Sequence, residues 1–112
     1  MTKMLVGFSD QFFVMRVSPK NMEVFTQVFK ALAHPGRLLM VEELSRGERC
    51  VCELAELVGS EMPTVSRHLA QLKHAGIVED DKRGAQVFYT LKTPCVMNFF
   101  KCVTAVRENS QS

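Results

Sequence analysis

Along the chain, apolar residues recur at helical spacing in five stretches, and β-type residues gather in two short runs before the last of them. From Asn21 to Ala33 the residues Met22, Val24, Phe25, Val28, Phe29 and Leu32 follow a helical period and predict an amphipathic helix. His34-Pro35-Gly36 punctuates the pattern. Pro35 suits the first turn of a second helix that carries Leu38, Leu39, Val41 and Leu44 and closes at Gly47. A short third helix over 51–58 would bury Val51, Leu54, Leu57 and Val58, with Gly59 as its C-terminal cap. Ser60 is the expected N-cap of a fourth helix reaching about Ala75, with Pro63 tolerated in the first turn and Gly76 as the stop. Ile77 to Lys82 and Gln86 to Leu91 flank Arg83-Gly84-Ala85. Their Val78, Val87, Phe88 and Tyr89 favour strands, so a hairpin is predicted. Thr93-Pro94 then opens a last helix through Cys95, Phe99, Cys102 and Val106, and Glu108 to Ser112 is expected to be a frayed polar tail.

This order predicts a mainly α fold with one β-hairpin. Two short helices joined by a glycine turn and followed at once by a hairpin make a winged helix-turn-helix, whose second helix enters the major groove while the hairpin touches the flanking backbone. At 100° per residue, Val65, Leu69 and Leu72 form one stripe of the fourth helix and anchor it. Thr64, Ser66, Arg67 and Gln71 lie off that stripe, and Arg67 is about 200° round from Val65. Together with Pro63 at the helix start, these are the candidate DNA-contacting residues of the helix, because short polar and bidentate side chains reach phosphates and base edges. Lys82, Arg83 and Gln86 at the wing tip are placed for phosphate or minor-groove contact, whereas Asp80 and Asp81 oppose DNA at the wing base.

Composition narrows the class without choosing within it. A chain of 112 residues with 46% hydrophobic and 23% charged content has room for one modest core. A net charge of +2 is too mild to identify a nucleic-acid binder by itself. Asp10, Gln11, Arg16 and Lys20 interrupt the apolar start, so no membrane span is predicted and a signal peptide fits poorly. The expectation is a cytoplasmic protein with an N-terminal arm over 1–18 and a DNA-binding and dimerisation domain over 19–112. No Gly-rich phosphate loop is present and Cys50 has no matched His and acid, so neither an enzyme nor an organic cofactor is expected.

Four cysteines carry the remaining chemistry. Cys50 and Cys52 sit together mid-chain, Cys95 and Cys102 near the end, and no CxxC motif occurs. Kept reduced, such thiols are candidates for metal, metalloid or redox sensing. Two residues apart, Cys50 and Cys52 would diverge by about 200° on a helix but share a side on an extended lead-in, so the pair should straddle the start of the third helix. Cys95 and Cys102, seven apart on one helix, are separated by roughly 10 Å of rise, too far for one ion to bridge. Core filling beside Phe99 and Val106 is the competing role for these two. His34, His68 and His74 read as structural.

The stretch from Phe29 to Leu91 resembles the ArsR/SmtB family of metal-responsive bacterial repressors. Ala31-Leu32-Ala33-His34-Pro35-Gly36-Arg37 is similar to that family's first helix junction, and Thr64-Val65-Ser66-Arg67-His68-Leu69 to its recognition helix. Leu72-Lys73-His74-Ala75-Gly76-Ile77-Val78 resembles its approach to the wing. Glu48-Arg49-Cys50-Val51-Cys52-Glu53-Leu54 is similar to the metal box, usually written Glu-Leu-Cys-Val-Cys-Asp-Leu. The resemblance implies a homodimer built on the first and last helices, binding double-stranded palindromic operator DNA and released by a soft ion. Met22, Phe25, Phe29, Phe99 and Phe100 would form the dimer interface, or else ordinary core. Thiolate pairs favour arsenite or antimonite as inducer, with cadmium, lead and zinc left open. The box of arsenic-type members often continues to a third cysteine where this chain has Ala55, so a trigonal site would recruit Cys95 or Cys102 from the same chain or its partner. The histidine-containing zinc site on the last helix has no counterpart, since no His follows His74. Two other readings use the same scaffold: a repressor whose thiols sense oxidants or reactive sulfur, and a winged-helix protein-interaction module that binds no DNA.

Overall fold

The computed structural model describes the backbone of residues 18–111 and side chains to residue 108. The N-terminal arm expected over 1–18 lies outside the described residues except for Ser18, which caps the first helix. That helix, α1 (Pro19–Leu32), begins with the Ser18 Oγ accepting the Asn21 amide at 3.2 Å. The second, α2 (Pro35–Leu44), is capped by His34, whose Nδ1 accepts the Gly36 amide at 2.9 Å, and Pro35 stands in its first turn where no amide partner is missed. There follow β1 (Arg49–Cys50), α3 (Val51–Val58), α4 (Met62–His74), β2 (Val78–Arg83), β3 (Gln86–Leu91) and α5 (Val96–Gln111).

Among the described residues, five helices and a hairpin stand as the pattern predicts, with four local differences. Glu61, not Ser60, is the N-cap of α4. The Ser60 amide instead bonds the Ala55 carbonyl together with Gly59, whose φ of 73° makes it the left-handed cap of α3, so Ser60 is consumed closing the preceding helix. Arg83 belongs to β2, pairing with Gln86 across a two-residue loop, Gly84-Ala85, in which Gly84 takes φ 65°. The last helix starts at Val96, leaving Cys95 in the turn before it, and continues to Gln111, because no Gly or Pro after Pro94 stops it. The fourth difference is β1, a two-residue strand too short to show any period, which makes the hairpin a three-stranded antiparallel sheet of order β1-β3-β2.

The core is where the helix-turn-helix meets α2 and the root of the wing. Met40, Val41, Leu54, Val65, Leu69 and Leu72 are fully buried, and Ile77 and Val78 join them from the start of the wing. By contrast, Met22, Phe25, Phe29 and Phe99 on α1 and α5 stay 46–56% exposed, while Phe100 is half-buried against the core. Phe29 and Phe99 meet edge to face at 6.0 Å, which links the two helices along this open apolar surface.

One polar cluster sits inside the helix junction. Arg37 is buried, donates through Nε to the Ala31 carbonyl and places a terminal nitrogen 3.0 Å from His68 Nδ1 on α4. Because a guanidinium only donates, His68 must accept, which keeps the side of the ring facing Arg37 unprotonated. The His34 ring lies 4.4 Å from that of His68. Burial, then the charges of His34, Arg37 and Arg67, hold the His68 pKa below its ordinary value. A histidine whose folded pKa is depressed binds fewer protons folded than unfolded, so its contribution is intact above about pH 6.5 and is lost as pH falls below that. Urea unfolding midpoints should therefore drop between about pH 7.5 and pH 5.5, and the drop should shrink in His68→Gln; equal pH dependence in the two proteins would refute this assignment.

Candidate nucleic-acid interface and thiol site

The polar face of α4 is set by what the opposite face buries. Val65, Leu69 and Leu72 are inaccessible, so Pro63, Ser66, Arg67 and Gln71 are held outward and exposed, with Thr64 half-buried at the edge. Among the described residues no ion pair engages Arg67, which leaves its guanidinium available to a phosphate or a guanine edge. Lys82 and Gln86 are exposed at the wing, adjoining the Gly84-Ala85 loop.

Arg83 is placed differently from a free wing-tip cation. Its guanidinium makes a two-pronged ion pair with Glu48, a further bond from Nε to Asp81 at 2.9 Å, and lies 4.6 Å from the centroid of the Phe88 ring. Bonding to Glu48 first, and to Asp81 second, raises its pKa further above the ordinary range. Asp80 in turn is paired with Lys73 of α4 at 3.0 Å. The two aspartates expected to repel DNA are thus each matched by a cation of the same chain, which offsets much of their repulsion. The wing's positive face rests on Lys82, with Arg83 held back by its partners.

Cys50 and Cys52 straddle the start of α3 as their spacing predicts. Cys50 is the extended N-cap residue, Cys52 is two residues on, and their Sγ atoms lie 2.6 Å apart with either thiol able to donate. The Cys50 amide donates to Glu53 Oε1 at 2.9 Å, so the glutamate three residues on caps the helix from which Cys52 projects. Cys50 is buried and Cys52 exposed. The hydrogen bond to Cys50, then local loss of hydration where the two sulfurs meet and the neighbouring sulfur's charge, hold the Cys52 thiol above its ordinary pKa.

Cys95 and Cys102 are exposed on this chain, one before α5 and the other on it, so neither fills the core. Among the described residues, no group of three or more His, Cys, Asp or Glu is arranged to hold a metal ion. The four cysteines are therefore brought together only as the Cys50/Cys52 pair. That donor set, two soft sulfurs in contact, suits a thiophilic ion but supplies only two of the three ligands of a trigonal thiolate site.

Two functional neighbours escape a reading of the chain. Glu48, 35 residues from Arg83 in sequence, leaves no local sign of their pairing. Phe88 stands opposite Cys50 only because β1 pairs with β3. Glu53, in contrast, occupies the third position after the N-cap, a spacing that signals a capping carboxylate.

Helix α3, the turn at Gly59, helix α4 and the β2–β3 hairpin define a winged helix-turn-helix. Residues 34–80 match the family described as bacterial regulatory protein, arsR family. An HTH-type transcriptional regulator of Methanocaldococcus jannaschii is 37% identical over 82 residues, which span 72% of this chain and 92% of that protein. The chain belongs to the arsR family of bacterial regulatory proteins. It is 48% identical over 65 residues to the arsenic resistance transcriptional regulator ArsR1 of Pseudomonas putida; the match covers 57% of this chain and about half, 51%, of that regulator's length. Among solved structures, a homodimeric winged helix-turn-helix DNA-binding domain from Mycobacterium bovis superposes with a TM-score of 0.69 at 29% identity, covering 96% of this chain and 94% of that one.

The geometry of the thiol pair gives a direct check. Under native, reducing conditions a small alkylating agent should modify Cys52 before Cys50, since only the former is exposed, and peptide mapping by mass spectrometry would show the order. Faster labelling of Cys50 would contradict the burial described, and the order should vanish in denaturant.

Proposed function

We propose that the chain is a cytoplasmic transcriptional repressor that binds a palindromic operator as a homodimer and is released when Cys50 and Cys52 coordinate trivalent arsenic or antimony. The observation that carries this reading is the position of the thiol pair. Cys50 is both the cap of α3 and the last residue of β1, and β1 is paired to β3 of the wing, so a ligand that rearranges the sulfurs acts at the joint between helix and wing. Family membership supports DNA binding, and the name of the Pseudomonas putida relative supports arsenic as the inducer. Pro63, Thr64, Ser66, Arg67 and Gln71 of α4, with Lys82 and Gln86 of the wing, contact DNA; Arg83 joins them only by leaving Glu48.

The exposed apolar residues Met22, Phe25, Phe29 and Phe99 are the face through which two copies associate, since soluble chains rarely leave such contiguous surface open. A third sulfur for arsenite comes from Cys95 or Cys102 of the partner subunit, because this chain's own copies stand apart from the pair. Operator and inducer then oppose one another: whatever factor the ligand takes from DNA affinity, DNA takes from ligand affinity. The 2.6 Å contact also favours a second reading, oxidation of the same pair by peroxide or reactive sulfur, with the same consequence for α3.

Fluorescence anisotropy on an operator fragment tests both halves. Arg67→Ala should weaken binding roughly ten-fold to a hundred-fold while the dimer persists in sedimentation, and unchanged affinity would remove α4 from the interface. Cys50→Ser and Cys52→Ser should each bind DNA normally yet ignore arsenite. Normal release in either variant would refute the pair as sensor, release by oxidants alone would select the second reading, and failure of the wild-type chain to bind DNA would favour a protein-interaction module.

A further inference from the structure

Within one chain, the Cys50/Cys52 site brings together two soft ligands. The carboxylate beside it, Glu53, is occupied by the Cys50 amide, so recruiting it would uncap α3. Position 55, one turn beyond Cys52, is an alanine without a donor. Next to the sulfurs stands a hydrocarbon instead. Phe88 is the direct partner of Cys50 in the antiparallel β1–β3 pair, and residues so paired project from the same face with Cβ atoms about 4.5–5.5 Å apart. Its ring is half-buried and packs against the Arg83 guanidinium.

From this juxtaposition we infer that the site takes a monosubstituted trivalent organoarsenical, R–As(OH)2, held by both sulfurs with its carbon substituent against Phe88. The inference rests on the proposed role of the pair as the sensor. An arsenic that already carries one carbon has two exchangeable oxygens, which equals the number of thiols one chain brings together, so it needs no third sulfur from the partner subunit. Capture forms two As–S bonds and breaks two As–O bonds. Each thiol proton leaves with a hydroxide as water, the As–C bond is untouched, and arsenic stays trivalent, so no oxidant or reductant takes part. Arsenite on the same two sulfurs keeps one As–O bond and gains nothing from the ring. Bridging needs the sulfurs wider apart than 2.6 Å, and Cys52, exposed in the first turn of α3, is the one with room to swing.

Phenylarsine oxide, which hydrates to such a diol, is the probe, and the reduced full chain bearing Cys95→Ser and Cys102→Ser is the protein. Native mass spectrometry should show one phenylarsenic group per chain with loss of two hydrogens, protecting Cys50 and Cys52 from alkylation. Affinity should exceed that for arsenite at least ten-fold, and Phe88→Ser should narrow the gap. Equal affinity for arsenite, or an adduct elsewhere than the pair, would overturn the inference. Because the mass readout is independent of DNA, an adduct at the pair that leaves operator binding unchanged in anisotropy would refute the sensor reading while leaving the ligand assignment standing.

Discussion

The burial of three residues on one side of α4 governs everything else on the molecule. Val65, Leu69 and Leu72 are wholly enclosed by Met40, Val41 and Leu54 and by the root of the wing, and a helix pinned along one stripe cannot rotate. The orientation of Ser66, Arg67 and Gln71 is therefore a consequence of core packing and needs no partner to hold it. Truncating one such leucine would cost about 2–5 kcal/mol, a large share of the stability of a domain this size. The Arg37–His68 contact adds direction to this packing: it ties the α1–α2 junction to the middle of α4 through groups that must be hydrogen-bonded because they are removed from water.

The thiol pair belongs to the same mechanical unit. Cys50 ends β1, caps α3 and faces Phe88; Glu48, two residues earlier, grips Arg83 at the wing tip. The sheet bonds of β1 are few, and the Glu48–Arg83 pair is exposed, so these links are weak one by one and are easily remade. Weak links suit a joint between two states. In the proposed mechanism a ligand that moves Cys52 alters the start of α3, and with it the strand that steadies the wing, while the buried stripe of α4 is left intact. On the proposed reading, release from DNA comes from a change in wing and helix placement and not from unfolding.

Much of this fold was legible because its elements are long and punctuated by residues whose conformations are restricted. Pro35 and Pro63 open helices, Gly59 and Gly84 take positive φ at a helix end and a hairpin loop, and the Val65-Leu69-Leu72 spacing separates the core face from the polar face of α4. What escaped was short or long-range. Two residues of β1 carry no periodicity, and the competition for Ser60 is decided by the end of α3 and not by the residue itself. Candidate chemistry divides in the same way. The straddling geometry of Cys50 and Cys52 follows from a spacing of two across a helix start, whereas the Glu48–Arg83 pair depends on contacts 35 residues apart that only the folded sheet creates.

That division explains why the partners of Arg83 are hidden from a sequence reading. A basic side chain beside a hairpin loop has the same local appearance whether it meets a phosphate or a carboxylate of its own chain. Here the carboxylates are already in place, and pairing with Glu48 and Asp81 positions the guanidinium over Phe88 in the absence of DNA. To meet a phosphate it would exchange one anion for another, so its net gain is small, while Lys82, unpaired among the described residues, can contribute its charge in full. The same pairing keeps the wing docked on the segment that carries the thiols. Under the proposed function, Arg83 therefore serves the link between the sulfurs and the wing more than it serves affinity.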